Sequence, residues 1–294
     1  MKLFPESTSS LLIPSSLIVA ATTTIVLPYF LWICVIDKTY MKDGRLSKYV
    51  QRLKIWKRLC KYFNATINLE EKLDHDQQYI FAQFPHGAMS IGHLLTFTNG
   101  AGFLDLYNGD KRDLAATGLF YIPLLRDLCI LLGCVDASKK TAVYNLKAGR
   151  SILIFVGGEK EQLNTKENEH KIYLKNRKGF VKLALEHNCK LVPMYVYGEN
   201  EVYVNSQFGM AFRNWLQRNF QIGLPIVFHL LPKKVGLHLE IGKPLDFIRK
   251  NSNTSVTDQE INEYHDQFCQ SIENLFNNTK HKYGVSKDRT LQIL

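Results

Sequence analysis

The residue best suited to chemistry is a histidine that directly follows an apolar run. Tyr79-Ile80-Phe81-Ala82 predicts a buried strand, and Phe84-Pro85-His86-Gly87 predicts a sharp turn at its end. Imidazole has the side-chain pKa nearest neutrality, so His86 is suited to take a proton from an alcohol. Gly87 leaves room for a substrate beside Phe84 and Pro85. The alternative is that His86 is only a turn residue.

A second pattern places two glycines and two carboxylates after another predicted strand. The run 151–156 is followed by Gly157-Gly158-Glu159-Lys160-Glu161. Glycines after a strand expose backbone N–H groups that can hold an oxyanion or a phosphate. Glu161 is the first candidate for orienting His86 or the acceptor hydroxyl, and Glu159 is the second.

Three cations are candidates for binding phosphate groups. Arg126 follows the apolar stretch 118–125, and Lys139 and Lys140 lie further along the chain. The alternative for Arg126 is a salt bridge with Asp127 or another acid. His93 lies seven residues after His86, but no carboxylate or thiol stands at ligand spacing, so we expect no metal site.

Several familiar catalytic patterns are absent from the sequence. It contains no Gly-x-Ser-x-Gly elbow, no Gly-x-x-x-x-Gly-Lys loop, no Gly-x-Gly-x-x-Gly after a strand and no His-Glu-x-x-His. These absences argue against a serine hydrolase of that type, a nucleotide hydrolase and a zinc protease.

Short β-like runs alternate with helical patterns from about residue 78 onward, which is typical of an α/β domain with a mixed or largely parallel sheet. The predicted strands are 79–84, 114–116, 151–156, 191–197 and 237–241. The predicted helices are 89–98, 126–132, 141–147 and 178–187. Thr257 and Glu260 fit a capping box for a C-terminal helix, whose apolar face is Ile261, Phe268, Ile272, Leu275 and Phe276.

The first part of the chain predicts a membrane anchor. Residues 7–36 carry no charge, and the apolar stretch 11–36 would be about 39 Å long as a helix, enough for one tilted span but not for two. Pro14 and Pro28 leave a re-entrant hairpin open, and a cleaved signal peptide is the alternative. Between Lys38 and Lys61 lie nine basic residues opposed only by Asp43. This position favours an anionic membrane face over nucleic acid, and the positive-inside rule puts the body in the cytosol.

The predicted organisation has four parts. They are a membrane anchor (1–37), a basic juxtamembrane segment (38–77), the catalytic domain (78–250) and a C-terminal helix with its tail (251–294). Within the catalytic domain, residues 208–231 are rich in Phe, Leu and Ile. This stretch is either a plain core helix and strand or an amphipathic flap at the membrane. The six cysteines show no Cys-x-x-Cys pairing and are predicted to be reduced.

Taken together, the motifs resemble those of the type-2 diacylglycerol acyltransferase family, which includes monoacylglycerol acyltransferases and some wax-ester synthases. The resemblance covers roughly residues 78–246. The motifs that carry it, in order, are Pro85-His86-Gly87, Tyr121-Ile122-Pro123-Leu124-Leu125-Arg126-Asp127, Gly133-Cys134-Val135-Asp136-Ala137-Ser138, Gly157-Gly158-Glu159-Lys160-Glu161, Arg177-Lys178-Gly179-Phe180-Val181-Lys182-Leu183-Ala184, Leu191-Val192-Pro193-Met194-Tyr195, Gly198-Glu199-Asn200-Glu201 and Gly242-Lys243-Pro244.

The resemblance implies a glycerolipid-acyltransferase-like α/β fold and an acyl-CoA-dependent enzyme of the endoplasmic reticulum, associated with lipid droplets. Two departures stand out. Phe84 replaces the first histidine of the family's His-Pro-His-Gly, and Ile91 stands where the wider superfamily has an aspartate five residues after its histidine. The residue that orients His86 is therefore not that aspartate.

The expected reaction is direct transfer from acyl-CoA to diacylglycerol, with His86 as the general base and backbone N–H groups holding the oxyanion. Acyl-CoA is a co-substrate, and no cofactor or metal is required. Membrane lipids are expected partners, nucleic acid is not, and a homo-oligomer is left open. Other acceptors (monoacylglycerol, a long-chain alcohol or a lysophospholipid) remain open, as does a catalytically inactive lipid-droplet protein that binds lipid.

Overall fold

The computed structural model describes residues 22–220, 223–247 and 255–294. The strands are β1 (Thr66–Leu69), β2 (Tyr79–Phe84), β3 (Lys111–Ala115), β4 (Cys134–Asp136), β5 (Ser151–Phe155), β6 (Lys171–Ile172), β7 (Lys190–Tyr197), β8 (His238–Ile241) and β9 (Gln292–Ile293). The α-helices are α1 (Leu27–Leu31), α2 (Lys48–Gln51), α3 (Lys54–Tyr62), α4 (His93–Phe97), α5 (Phe103–Leu106), α6 (Leu125–Leu132), α7 (Lys139–Lys147), α8 (Gly158–Asn164), α9 (Gly179–His187), α10 (Glu199–Val202), α11 (Met210–Phe220) and α12 (Asp258–Thr279).

A seven-stranded sheet in the order β1-β8-β7-β2-β5-β3-β4 forms the centre, and β6 and β9 form a second, two-stranded sheet. The strands β7, β2, β5, β3 and β4 are parallel, whereas β8 runs antiparallel to β7. The predicted mixed α/β sheet flanked by helices is therefore confirmed. Because parallel strands end at the same edge, the loops after β2, β3, β4, β5 and β7 share one side of the sheet.

The β2 strand lies near the middle of the sheet, and all six of its residues are buried. One core packs helices α9 and α12 against one face, and a second core packs α3, α4 and α5 against the other. A strand covered on both faces must be apolar throughout, which explains why Tyr79–Phe84 is an almost continuous apolar run.

The core extends beyond the predicted boundaries of the catalytic domain. The β1 strand lies within residues 38–77, yet it pairs with β8 in the main sheet. Helix α12 lies within residues 251–294, and its five predicted apolar residues are all buried. The predicted capping box of Thr257 and Glu260 is present. The strands β1 and β4 are absent from the predicted set because both are short, and β1 alternates between exposed and half-buried residues.

The helix predicted over 89–98 is wrong in its first turn, since α4 begins only at His93. Ser90 has a φ of 51°, which is outside the helical range. The N–H groups of Ile91 and Gly92 donate instead to the buried Glu199 carboxylate, at 2.8 Å and 2.5 Å. The chain after His86 is therefore a loop held by a carboxylate of α10.

Residues Thr23–Met41 form a helical stretch that is long and apolar enough to cross a bilayer, by length and composition. At about 1.5 Å per residue, its 19 residues extend about 28 Å, close to the thickness of a hydrocarbon core. The rest of the predicted anchor, residues 1–21, lies outside the described residues. Side chains of this stretch that face away from the body are exposed: Ile25, Leu27, Leu31, Val35 and Ile36.

Candidate active site

His86 stands where the central strand β2 ends, after the cis peptide bond between Phe84 and Pro85. Its imidazole is half-buried and packs edge-on against the Phe155 ring, with centroids 5.3 Å apart. Nδ1 lies 3.0 Å from the Gly87 carbonyl oxygen, an acceptor, so a neutral ring carries its proton on Nδ1. Nε2 is then the unprotonated nitrogen, and the Ser90 hydroxyl lies beside the ring, 3.0 Å from Nδ1 and 3.1 Å from Nε2.

The environment of His86 keeps the ring uncharged. Burial lowers the pKa of His86 to about 4; the positive field of His93 also lowers it, and the Gly87 carbonyl partly opposes both. An imidazole that is neutral at physiological pH can accept a proton.

Glu161 contacts the backbone of His86 rather than its ring. One carboxylate oxygen accepts the His86 N–H, and the other accepts the Tyr173 N–H at 2.9 Å. Burial raises the pKa of Glu161 to about 7, against the lowering effect of these two N–H donors. Glu161 therefore positions the turn that carries His86.

Glu199, which follows β7, holds the other side of the same loop. It is fully buried, and burial raises its pKa to about 8, although the N–H groups of Gly92 and Ile91 lower it. A Cβ atom on Gly87, whose φ is +64°, would collide with the Glu199 carboxylate. This contact explains why a glycine follows His86. The sequence contained Glu199 only as part of the resemblance, and no local pattern indicated its role.

Gly157, Gly158 and Glu159 lie at the start of α8, shortly after β5 ends. Gly157 directly precedes α8, Gly158 begins it, and a Cβ on Gly157 would collide with the Glu161 carboxylate. The Glu159 side chain is half-buried and makes no hydrogen bond with any residue that the structure describes, and its Cα and Cβ lie against Gly223. The roles of Gly157, Gly158 and Glu159 in binding an oxyanion or a hydroxyl stay predictions.

Two residues of the turn are less accessible than the sequence suggested. Phe84 is fully buried and packs against Phe268 of α12, with centroids 6.4 Å apart. Pro85 is buried as well. Their predicted contact with substrate is therefore not supported, because both side chains face the interior.

Arg126 is buried in ion pairs and is not available to bind a phosphate group. Its guanidinium is fully buried, donates to Asp37 at 2.8 Å and to Asp127 at 3.1 Å, and reaches the Phe120 carbonyl at 2.9 Å. The alternative of a salt bridge is thus confirmed. The ion pair between Arg126 and Asp37 therefore links the end of the apolar helix (Thr23–Met41) to the α/β domain.

Lys139 and Lys140 are exposed at the start of α7, directly after β4. They lie on the same edge of the sheet as His86, three strands away, or about 15 Å at the usual strand spacing. Binding of phosphate groups by these lysines stays a prediction.

Within the apolar stretch 208–231, α11 covers Met210–Phe220, and Val227 pairs with Asn205 in an isolated antiparallel bridge. The buried Arg213 pins this stretch by donating to the Leu224 carbonyl and the Asn205 side chain, both at 2.7 Å. Its largest apolar side chains are nevertheless exposed, among them Phe208 (79%), Phe228 (71%) and Leu230 (92%). The interpretation as a plain core helix and strand is therefore wrong, and the interpretation as an amphipathic flap fits the exposure.

A family model and curated relatives agree with the sequence motifs. A family model described as "Diacylglycerol acyltransferase" matches residues 15–294. The human protein named 2-acylglycerol O-acyltransferase 3 is 31% identical, over 90% of this chain and 83% of the relative. Diacylglycerol O-acyltransferase 2A of Umbelopsis ramanniana is 33% identical, over 90% of this chain and 80% of the relative.

The solved structure of the 1-acyl-sn-glycerophosphate acyltransferase PlsC from Thermotoga maritima aligns over 88% of this chain and 91% of that chain, with a TM-score of 0.48 and 14% identity. The match of the family model over nearly the whole chain, with curated relatives above 30% identity, is decisive. The chain belongs to the diacylglycerol acyltransferase family and is an O-acyltransferase.

Proposed function

We propose that the protein transfers an acyl group from acyl-CoA to the hydroxyl of diacylglycerol and so makes triacylglycerol. The observation that carries the proposal is a neutral imidazole at the sheet edge, with Nε2 free to accept a proton and a hydroxyl already within 3.1 Å of it. His86 removes the proton from the acceptor hydroxyl as its oxygen attacks the thioester carbon. The C–O bond forms, and the C–S bond then breaks.

The oxyanion requires donors at the same sheet edge. The backbone N–H groups of Gly87 and of the Gly157-Gly158 turn are the proposed donors. Glu161 and Glu199 support them by accepting three backbone N–H groups of the His86 loop, those of His86, Ile91 and Gly92. These carboxylates need not touch the substrate, because their effect is to fix the backbone.

An apolar acceptor fits the surface around this edge. Exposed apolar side chains lie on the apolar helix (Thr23–Met41), at the start of α6 and in residues 208–231. We propose that diacylglycerol approaches His86 from a bilayer along this apolar surface. We propose that the protein resides in the endoplasmic reticulum membrane with residues 38–294 in the cytosol, and that it reaches lipid droplets.

Monoacylglycerol is the second candidate acceptor. Relatives named 2-acylglycerol O-acyltransferase are 31% and 30% identical, as similar as relatives named diacylglycerol O-acyltransferase at 32% and 33%. A long-chain alcohol would use the same base, and an inactive lipid-binding homologue would show no transfer at all.

One experiment separates these possibilities. The full-length protein is expressed in cells that lack neutral-lipid synthesis, and membranes are assayed with one labelled acyl-CoA and a panel of acceptors. We expect labelled triacylglycerol in cells and the highest kcat/KM with diacylglycerol. A higher kcat/KM with monoacylglycerol or an alcohol would show that this lipid, rather than diacylglycerol, is the acceptor. The absence of any labelled ester would contradict the proposal that the protein is an acyltransferase of lipid alcohols.

A further inference from the structure

A second histidine, His93, lies beside His86 and is held by a buried carboxylate. His93 Nδ1 lies 3.3 Å from Asp113 Oδ2, and the Asp113 side chain is 2% exposed. The His93 ring packs on the Phe155 ring at 4.5 Å between centroids, and Phe155 also contacts His86. The two imidazoles thus share one aromatic neighbour at the edge of the sheet.

The positions of Asp113 and His93 in the fold explain why Asp113 is the more deeply buried of the two. Asp113 is in the middle of β3 and faces the interior, whereas His93 begins α4 and is 14% exposed. Nδ1 is occupied by Asp113, and Nε2 has no hydrogen-bond partner among residues 22–220, 223–247 and 255–294. A buried aspartate on one nitrogen of a histidine, with the other nitrogen unbonded, is the arrangement that stabilises an imidazolium during proton transfer.

His93 is not required merely as a partner for the Asp113 carboxylate. The Asp113 carboxylate already forms an ion pair with Lys111 and accepts the Thr96 hydroxyl at 3.3 Å. Lys111 balances its charge, and burial, which raises the pKa of Asp113, is outweighed by Lys111 and His93, so the carboxylate stays ionised. Removal of His93 would leave Asp113 with partners.

The two histidines differ in what they can do with a proton. The ring of His86 contacts the Gly87 carbonyl and the Ser90 hydroxyl but no carboxylate within the described residues. His93, in contrast, has a buried carboxylate within 3.3 Å of Nδ1, which can hold this nitrogen as a donor and leave Nε2 for exchange with a substrate. Two neighbouring imidazoles, of which one has a buried carboxylate partner and the other has none, are suited to different roles in proton transfer.

We propose that His93 is the general acid of the reaction and donates a proton from Nε2 to the sulfur of the departing CoA. The inference rests on the proposed use of acyl-CoA. The acceptor hydroxyl gives its proton to His86 while the C–O bond forms. When the C–S bond breaks, the sulfur takes the bonding electron pair and the proton of His93. His86 then loses a proton to water and His93 regains one, so no net proton is consumed.

A leaving group that needs no proton tests this assignment. The donors are a long-chain acyl-CoA and the 4-nitrothiophenyl thioester of the same fatty acid, whose thiolate departs unprotonated. The full-length variants are His93→Gln, which can still hydrogen-bond to Asp113, and His86→Gln. Thr96→Val is the matched control, because it removes another Asp113 contact and leaves His93 in place.

We expect His93→Gln to lower kcat with acyl-CoA by at least about tenfold but to lose less than about threefold with the activated thioester. His86→Gln should lose activity with both donors, because either one requires deprotonation of the alcohol. Thr96→Val should keep the wild-type ratio between the donors. Asp113→Asn is a second variant that should reproduce the donor-dependent loss if His93→Gln does not fold.

Equal losses with both donors in His93→Gln and Asp113→Asn would overturn the acid assignment and leave His93 a structural role. Unchanged turnover with acyl-CoA in a folded His93→Gln would also overturn it. A wild-type protein that transfers no acyl group from acyl-CoA to any lipid alcohol would contradict the proposed function instead, so the two failures are distinguishable.

Discussion

His86 illustrates how much of the chemistry depends on a single side chain and its immediate contacts. The residue type and its place after a strand could be predicted from the sequence, but the free nitrogen could not. The carbonyl of Gly87 sets the tautomer, and the turn that brings this carbonyl to Nδ1 exists only in the folded chain.

Replacement of His86 by Gln should lower kcat by about 10²-fold to 10⁴-fold, because the proton acceptor is lost while the shape is largely kept. Labelled acyl transfer in membranes, normalised to protein level, measures the effect. His187→Gln is the control, since His187 ends α9 at the opposite edge of the sheet.

Ser90→Ala separates two mechanisms at the same site. Direct transfer predicts a loss of less than about tenfold, because the Ser90 hydroxyl is then only a neighbour of the ring. A loss as large as that of His86→Gln, with a burst of labelled enzyme in the wild type, would indicate an acyl-serine intermediate and contradict direct transfer.

The pH dependence of kcat/KM is a second test at the residue scale. The pKa of His86 is lowered to about 4, so the base stays neutral until the pH falls well below the ordinary value for histidine. We expect no loss of rate from His86 protonation between pH 7 and pH 5, and a loss as the pH falls through about 4. An acid limb near the ordinary histidine pKa that disappears in His86→Gln would contradict this assignment.

The loop after β2 is the element on which the site depends. Carboxylates from two other elements hold it, Glu161 from α8 and Glu199 from α10, and both come close to glycines. The helix predicted for residues 89–98 failed at its start because these tertiary contacts outweigh local helical preference.

Gly87→Ala should disable this loop. The substitution adds the cost of a left-handed conformation, about 1–2 kcal/mol, to a collision with the Glu199 carboxylate. Gly149→Ala is a matched control, because Gly149 has a φ of +76° but open space around the added Cβ. We expect thermal unfolding of the detergent-solubilised proteins to shift in both variants, and activity to be lost only in Gly87→Ala. Equal activity in the two variants would refute the importance of the Glu199 contact.

The contact between the apolar helix and α6 is the second place where the structure changes the expected role of a residue, because Arg126 forms a buried ion pair there. Arg126→Ala would leave the buried Asp37 with the partly exposed Arg45 as its remaining ion-pair partner at 3.0 Å, so we expect a cost below the roughly 3–5 kcal/mol typical of a buried charge that loses its pair completely. We expect a lower unfolding temperature and an unchanged KM for acyl-CoA. Lys139→Ala with Lys140→Ala should instead raise this KM and leave stability nearly unchanged. A raised KM in folded Arg126→Ala, with no effect of the lysine changes, would reverse these roles.

At the scale of the whole molecule, exposed apolar surface is concentrated around one edge of the sheet. Residues 208–231 reach this edge through α8, since Asn205 donates to the Leu163 carbonyl and Gln162 to the Ala88 carbonyl. Arg218, Lys233 and Lys234 are the nearby cations in the sequence. Apolar side chains beside cations are typical of a surface that inserts into the interface of an anionic membrane.

Substitution of Phe208, Phe228 and Leu230 by Ser should lower activity on diacylglycerol in bilayers several-fold more than on diacylglycerol in detergent micelles, because these side chains would no longer enter the membrane. Tyr49→Ser is the control, as Tyr49 is 78% exposed but lies outside this segment. Quenching of Trp215 fluorescence by brominated lipids, corrected with a Trp215→Phe variant, reports insertion directly. Equal losses in bilayers and micelles, together with unquenched Trp215, would rule out membrane contact here.

The sequence by itself determined the class of the fold, the family and the position of His86. Runs of apolar residues, glycine turns and the order of motifs are features of the sequence, so they can be recognised without the folded structure. It also predicted the capped C-terminal helix, because capping and amphipathic spacing depend on neighbouring residues.

Only the tertiary structure decided which side chains meet at the site. Glu199 reaches the His86 loop across 107 residues of sequence to the N–H of Gly92, and Asp113 meets His93 across 20. It also turned Arg126 from a free cation into a buried ion pair and exposed the apolar stretch 208–231. Such contacts depend on which strands are neighbours and which face is covered, and no periodicity in a single sequence records these facts.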